Sequence, residues 1–380
     1  MTYISPNVLL ANSGERNKYL VIERPPSIIR LDSGAPSFPT PPHIGKAGQD
    51  AIKDGHTSYA PWRGTPELLR AVCEYLQDDF AVRYETHEVL ITHGGSSAIY
   101  TVMATVLAPG DEVILLDPTY SLYAPDAIFI GAKPVPVAHN SQYHIDIGAV
   151  RAAITDRTRA ILICNPNNPT GVAYTHAELG ALLRVCKDND LFLVVDEAYS
   201  KILQAGVTHI PILSFQEHRE RIVLLQTFSK TYAMTGWRLG FAVGPQVVIS
   251  QMLGLHLSII GPVCTFVQRA GVAALRGPQD CIADFGMQYQ RRGALMYRLA
   301  QAIEGLHPVT PQGGFYLYCR YDADLPAVEV RERLWKAGVA VRTGSEFGVA
   351  GERHLRFTYA VDEETIERGM GIVAQTFRGL

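Results

Sequence analysis

A chain of 380 residues, 47% hydrophobic and 19% charged, has ordinary globular composition and enough length for two domains. Its formal net charge of -3 leaves no broad basic field, which argues against nucleic-acid binding. Six widely spaced cysteines form no CxxC pair, so neither a zinc knuckle nor a disulfide framework is indicated; they read as buried, reduced thiols of a cytoplasmic protein.

The first residues lack a basic segment followed by a long apolar one, so they do not read as a signal peptide. No apolar run is long enough to cross a bilayer. Residues 1–44 read as an irregular arm, because Pro25, Pro26, Pro36, Pro39, Pro41 and Pro42 disfavour a long helix. A helical pattern then runs over 44–53 and stops at Gly55. The following loop carries Tyr59, Trp62 and Arg63. Pro66 opens a helix whose apolar stripe is Leu68, Leu69, Val72 and Leu76.

From there strands and helices alternate. Strands are expected at 89–92, 113–116, 160–164, 191–195, 222–225 and 239–243, and helices at 97–107, 123–129, 176–187 and 246–257. Short, continuously apolar strands between helices imply a mostly parallel sheet covered on both faces. After Gly277 the pattern changes to a long amphipathic helix over 280–303. Strands at 315–319, 339–341 and 355–359 follow, mixed with helices at 327–337 and 363–377. The chain therefore divides into an arm with part of a small domain (1–44), a large α/β domain (45–277) and a small α+β domain (278–380).

Ligands of parallel α/β sheets gather at the C-terminal strand ends, so those ends carry the chemistry. The first ends in Thr92-His93-Gly94-Gly95-Ser96-Ser97, which suits an anion at a helix start, or simply an N-cap by Ser96 or Ser97. The second gives Asp117-Pro118-Thr119-Tyr120, whose tyrosine can cover a flat ring or merely pack. The third gives Asn165-Pro166-Asn167-Asn168-Pro169-Thr170-Gly171, a rigid turn far more constrained than a plain loop needs. The fourth ends in Asp196-Glu197-Ala198-Tyr199. A carboxylate directly after five apolar residues needs a cationic partner, either a protonated pyridine nitrogen or a structural lysine or arginine, unless it caps the next helix. The fifth enters Gln226-Thr227-Phe228-Ser229-Lys230, with Arg238 eight residues beyond the lysine. A lysine there can form a Schiff base, and arginine and hydroxyls can grip a phosphate, which together suggest pyridoxal phosphate.

In order along the chain, SGAPSFPTP, SYAPWRGTPELL, THGGSSA, NPNNPTG, DEAY, the Ser229-Lys230 pair with Arg238, and LRFTYA resemble fold type I pyridoxal-phosphate enzymes. Within these the likeness is to class I/II aminotransferases of the aspartate aminotransferase superfamily. That resemblance implies an α/β fold: a large cofactor-binding domain with a mostly parallel seven-stranded sheet between helices, plus a smaller α+β domain. It implies that Lys230 forms the internal aldimine and moves the substrate proton, that Asp196 keeps the pyridine nitrogen protonated, and that Tyr199 and Asn168 contact the phenolic oxygen. Tyr120 is the stacking aromatic. Gly95, Ser96, Thr227 and Arg238 form the phosphate cup, with Ser229 an alternative to Ser96 or Thr227, joined by Tyr59 from the neighbouring subunit of a homodimer. Gly34, Asn168 and Arg356 hold the substrate α-carboxylate. The Asp117-Pro118 and Asn168-Pro169 bonds are expected to be cis.

The activity implied is transfer of an amino group from an L-amino acid to a 2-oxo acid in ping-pong half-reactions. The same residues suit a β-lyase, a decarboxylase or an oxidase, since they choose the cofactor rather than the bond broken. A cofactor-binding sensor is a further alternative, although the 30 residues before Leu31 hold no helix-turn-helix pattern. Arg356, in the alternating stretch 355–359, is expected to share a face with Thr358. Side-chain specificity is expected from the arm around 12–16 or from Trp62 and Arg63 reaching the neighbour's site; the alternative for that pair is that Arg63 faces solvent and Trp62 only packs the dimer interface.

Overall fold

The computed structural model describes residues 4–14, 17 and 25–380. In the arm, Ile29–Arg30 form β1. The large sheet takes its strands from β2 (Val89–Thr92), β3 (Glu112–Asp117), β4 (Lys133–Ala138), β5 (Thr158–Cys164), β6 (Phe192–Asp196), β7 (Ile222–Thr227) and β8 (Gly240–Val243). Their order is β2-β8-β7-β6-β5-β3-β4. β8 runs antiparallel to both neighbours, and the other pairings are parallel.

Each strand of this large sheet except β4 sends alternate residues into two separate cores. Leu90, Val113, Leu115, Leu162, Val194, Val223 and Leu225 join the core shared with the small domain. Ile91, Ile114, Leu116, Ile161, Val195 and Leu224 join the core on the opposite face. This two-sided burial is why the strands read as unbroken apolar runs. Each such side chain contributes about 1.5–3 kcal/mol by leaving water.

The small domain carries an antiparallel sheet made of β9 (Leu306–Pro308), β10 (Tyr316–Tyr321), β12 (Arg342–Thr343) and β13 (His354–Thr358), in the order β12-β13-β10-β9. The short β11 (Val339–Ala340) pairs in parallel with β1, which ties the arm to this part of the chain.

Several expectations need adjustment. β4 lay hidden because Pro134 and Pro136 interrupt it; it is an edge strand bonded only to β3, where missing N–H groups are tolerated. The helices Ile147–Ala153 and Thr265–Arg276 and the short arm helix Pro6–Ala11 were also not foreseen. The helix after β2 begins at Gly94, and neither Ser96 nor Ser97 caps it: His93 holds the cap position, and Ser97 Oγ donates back to Gly94 O. β13 is buried along its whole length, Arg356 included. The Asp117-Pro118 and Asn168-Pro169 bonds are cis, and so is Asn165-Pro166. Of the cysteines, Cys164, Cys186 and Cys319 are buried, whereas Cys264 is exposed.

Candidate active site

A cavity of about 410 Å³ opens where the C-terminal ends of β2, β3, β5, β6 and β7 face β12 and β13. Gly34, Gly95, Ser96, Tyr120, Asn168, Asp196, Tyr199, Thr227, Ser229, Lys230, Arg238 and Arg356 all line it. Residues read separately from distant motifs thus share one wall.

Lys230 sits in the single-turn helix Phe228–Thr231, whose start is capped by Thr227 Oγ1 accepting from Ser229 N. Its ammonium donates to Gly34 O at 2.5 Å. Burial, and then the charge of Arg356, lower its pKa to about 8. Asp196 ends β6 and is 7% exposed. Its Oδ2 accepts from the Tyr123 hydroxyl at 2.9 Å and its Oδ1 from Ala198 N at 3.0 Å. Among the described residues no lysine or arginine forms an ion pair with it, so the structural ion pair weighed from the sequence is absent. Burial raises its pKa, and the hydrogen bonds from Tyr123 and Ala198, then the Lys230 charge, partly offset this.

Arg356 is 5% exposed. Its Nη1 donates to Asn168 Oδ1 and its Nη2 to Asp32 O, both at 3.0 Å. The guanidinium carbon lies 4.0 Å from the centre of the Tyr316 ring and 4.7 Å from that of Phe347. Its Nε is buried without an acceptor, and the residue lines the cavity where a guanidinium can meet an anion. Asn168 belongs to a turn locked by its own side chains: Asn167 Oδ1 accepts from Thr170 N and Oγ1, and Asn165 Oδ1 accepts from Tyr174 N.

The helix Gly94–Val106 points its N-terminus at this cavity through Gly95 and Ser96. Gly94 has φ +75°, a conformation that strains other residues, and the Arg238 guanidinium packs close against it, with a built Cβ only 2.8 Å from Nη2. Thr227 Oγ1 donates to Ser229 Oγ at 2.9 Å beside it. Helix N-terminus, hydroxyls and arginine make a cradle for a phosphate.

A phosphorylated pyridine aldehyde fits these residues. The cradle would take its phosphate, Asp196, which forms no ion pair among the described residues, would meet a protonated ring nitrogen, and Lys230 has the lowered pKa a Schiff-base lysine needs. The profile of the family described as "Aminotransferase class I and II" matches residues 26–373.

The chain belongs to the class I and II aminotransferases.

Its relatives agree along nearly their whole length. The aspartate aminotransferase of Pyrococcus horikoshii is 33% identical over 99% of this chain and 98% of its own. The probable aspartate/prephenate aminotransferase of Thermus aquaticus is 36% identical over 92% of both. The solved structure of the Thermus thermophilus aspartate aminotransferase with maleate superposes with a TM-score of 0.89 at 32% identity, covering 99% of this chain and 100% of that one. The protein is a pyridoxal-phosphate-dependent aminotransferase, which sets transamination above the lyase, decarboxylase and oxidase readings.

Not every expected residue of the aminotransferase reaches the cavity. Tyr59 is 93% exposed and lines a surface hollow with Trp62 and residues 257–262, away from the cradle of its own chain. Arg63 is turned into its own chain, where Nη1 donates to His87 O at 2.9 Å and Val89 O at 3.5 Å. Through these hydrogen bonds Nη1 ties the loop to the start of β2. In the arm, Asn12 is exposed and accepts from Asn17 Nδ2; Glu15 and Arg16 lie outside the described residues.

Conversely, Tyr123, Tyr316, Arg342 and Phe347 belong to the site and were missed. Tyr123 reads as one apolar position in a helix, and its bond to Asp196 spans 73 residues. Arg342 lines the cavity, lies directly opposite Arg356 in the β12–β13 register and forms an ion pair with Glu346. Strand alternation from Arg356 would have pointed to Arg342 only if the pairing had been known.

Among the described residues no helix is long and apolar enough to cross a membrane, and no cluster of three or more His, Cys, Asp or Glu gathers around a point.

Proposed function

We propose that this aminotransferase works on acidic L-amino acids, aspartate first among them, as a cytoplasmic homodimer. The observation that carries the substrate class is the pair Arg356 and Arg342, two guanidinium groups facing each other across β13 and β12 on the cavity wall. Like charges placed opposite on one face cost stability; Glu346 offsets part of that cost through its ion pair with Arg342, and an anionic ligand would offset more. The names of the Pyrococcus and Thermus relatives support the same class.

When bound, pyridoxal phosphate supplies the electron sink for the α-carbon. Lys230 Nζ removes and returns the α-proton; with a pKa of about 8 a useful share of it is neutral near that pH. Asp196, oriented by Tyr123 and the Ala198 N–H, would hold the ring-nitrogen proton. Tyr199 and Asn168 would contact the phenolic oxygen and Tyr120 would cover the ring. Gly95, Ser96, Thr227, Ser229 and Arg238 would hold the phosphate. Arg356 orients the α-carboxylate through its planar fork, with Asn168 and Gly34 beside it.

In the dimer, the exposed Tyr59 would complete the partner's phosphate cradle. The division of the chain at 44/45 and 277/278 completes the reading, supported by the pairing of β1 with β11. The test is a panel of half-reactions with purified holoenzyme, followed by the visible absorption of the cofactor. Aspartate and glutamate are expected to react with higher kcat/KM than alanine, leucine or phenylalanine. A preference for aromatic or aliphatic amino acids over both would overturn the acidic assignment while leaving the aminotransferase itself intact.

A further inference from the structure

Tyr316 is the first residue of β10 and is 2% exposed. Its hydroxyl oxygen lies 3.1 Å from that of Tyr199, and its ring carries the Arg356 guanidinium at 4.0 Å. The two contacts come from opposite parts of the site, since Tyr199 follows β6 and Arg356 lies on β13. The strand register explains how one residue reaches both. Tyr318 is the direct partner of Arg356, so Tyr316 is its diagonal neighbour on the same face.

The surrounding chain is shaped around this hydroxyl. A Cβ on Gly34 would lie 2.8 Å from Tyr316 Oη, although the backbone there does not require glycine. The same Gly34 accepts the Lys230 ammonium through its carbonyl. Burial raises the pKa of both tyrosines, so both hydroxyls keep their protons.

We propose that Tyr316 is a positioning residue that couples the α-carboxylate clamp to the group contacting the cofactor's phenolic oxygen. This rests on the assignment of Tyr199 to that oxygen. Tyr199 has one proton. If it donates that proton to the phenolic oxygen, its bond with Tyr316 must run the other way, with the Tyr316 hydroxyl donating. Donation into Tyr199 polarises its O–H and strengthens it as a donor. The ring, meanwhile, gives the guanidinium a flat electron-rich support that fixes its fork.

The two halves of Tyr316 are separable by substitution. Tyr316→Phe keeps the ring and removes the hydroxyl. In holoenzyme it is expected to raise the pH midpoint of the cofactor's visible band by about half a pH unit, since a donor that favours the deprotonated chromophore is weakened. KM for aspartate should stay within about two-fold, because the support for Arg356 remains. Tyr316→Leu removes both and should show the same midpoint shift with KM raised about ten-fold. Tyr199→Phe should shift the midpoint further, and adding Tyr316→Phe to it should add nothing.

An unchanged midpoint in Tyr316→Phe, alongside a shifted one in Tyr199→Phe, overturns the coupling. So does an additive shift in the double variant, because that denies the route through Tyr199. Equal KM values for the Phe and Leu variants overturn the role of the ring. An unshifted midpoint in Tyr199→Phe removes the assignment beneath the proposal and the proposal with it. The Phe variant keeps the buried volume almost unchanged, so it provides the decisive arm if Tyr316→Leu fails to fold.

Discussion

Arg356 on β13 and Asn168 in the turn after β5 stand 188 residues apart in sequence and are joined by a 3.0 Å hydrogen bond from Nη1 to Oδ1. The bond bridges the large sheet and the small antiparallel sheet across the cavity. An anion held by Arg356 is therefore registered against the strand ends that carry Asp196 and Lys230.

Lys230 should be the residue that carries the cofactor. Borohydride reduction of holoenzyme and peptide mapping are expected to place the pyridoxyl group on Lys230, and Lys230→Ala should retain the cofactor through the phosphate cradle without turnover. Label on a different lysine would refute the assignment.

The same lysine makes the cofactor-free protein pH-sensitive. Its folded-state pKa is lowered from 10.5 to about 8, so between those values the folded chain binds fewer protons than the unfolded chain. Stability then rises with pH across this window, and the full penalty is present below pH 8. Cofactor-free Lys230→Met should therefore be more stable than the parent at pH 7, by up to about 3 kcal/mol. Urea titrations at pH 7 and at pH 10 check it; the advantage should shrink at the higher pH, and a constant difference would contradict the buried-cation account.

Tyr123 is expected to matter through the hydrogen bond it gives Asp196, besides its packing against Tyr120. Tyr123→Phe leaves Asp196 Oδ2 without its donor at 2.9 Å. A charged, buried acceptor that loses a partner costs about 1–3 kcal/mol, which should weaken cofactor retention roughly ten-fold. Spectrophotometric titration of the cofactor-free variant measures this, and an unchanged Kd would exclude Tyr123 from orienting the carboxylate.

Arg63→Ala separates structure from specificity. With its hydrogen bonds to His87 O and Val89 O lost, the variant should lose about 1–2 kcal/mol of stability. The ratio of kcat/KM for aspartate to that for alanine should not move. A fall in that ratio would return Arg63 to the substrate.

Mixed dimers test the reach of Tyr59. When Tyr59→Phe and Lys230→Ala chains are combined, a Tyr59 that serves the partner leaves one site with both native residues. Activity should then exceed that of either parent variant. Activity no greater than the mean of the two would place Tyr59 in its own chain's site or in none.

Local chemistry was enough to read the strand ends. The apolar run before Asp196, the glycines after Thr92, the locked turn around Asn168 and the position of Lys230 each carry their signal within a few residues. That is because a parallel strand buried on both faces must be apolar, and the turn that follows must serve the ligand. The edge strand β4 escaped because its prolines are allowed only by its place in the sheet. The direction of Arg63 was decided by the backbone carbonyls that tertiary packing brought within reach of it. Tyr123 against Asp196, Tyr316 between Tyr199 and Arg356, and Arg342 facing Arg356 arise from contacts between strands and helices far apart in the chain. A hydroxyl or guanidinium in an amphipathic segment looks alike whether it meets water or a buried partner. The sequence therefore determined which chemistry the strand ends hold, and the packing of the two sheets decided which side chains orient it.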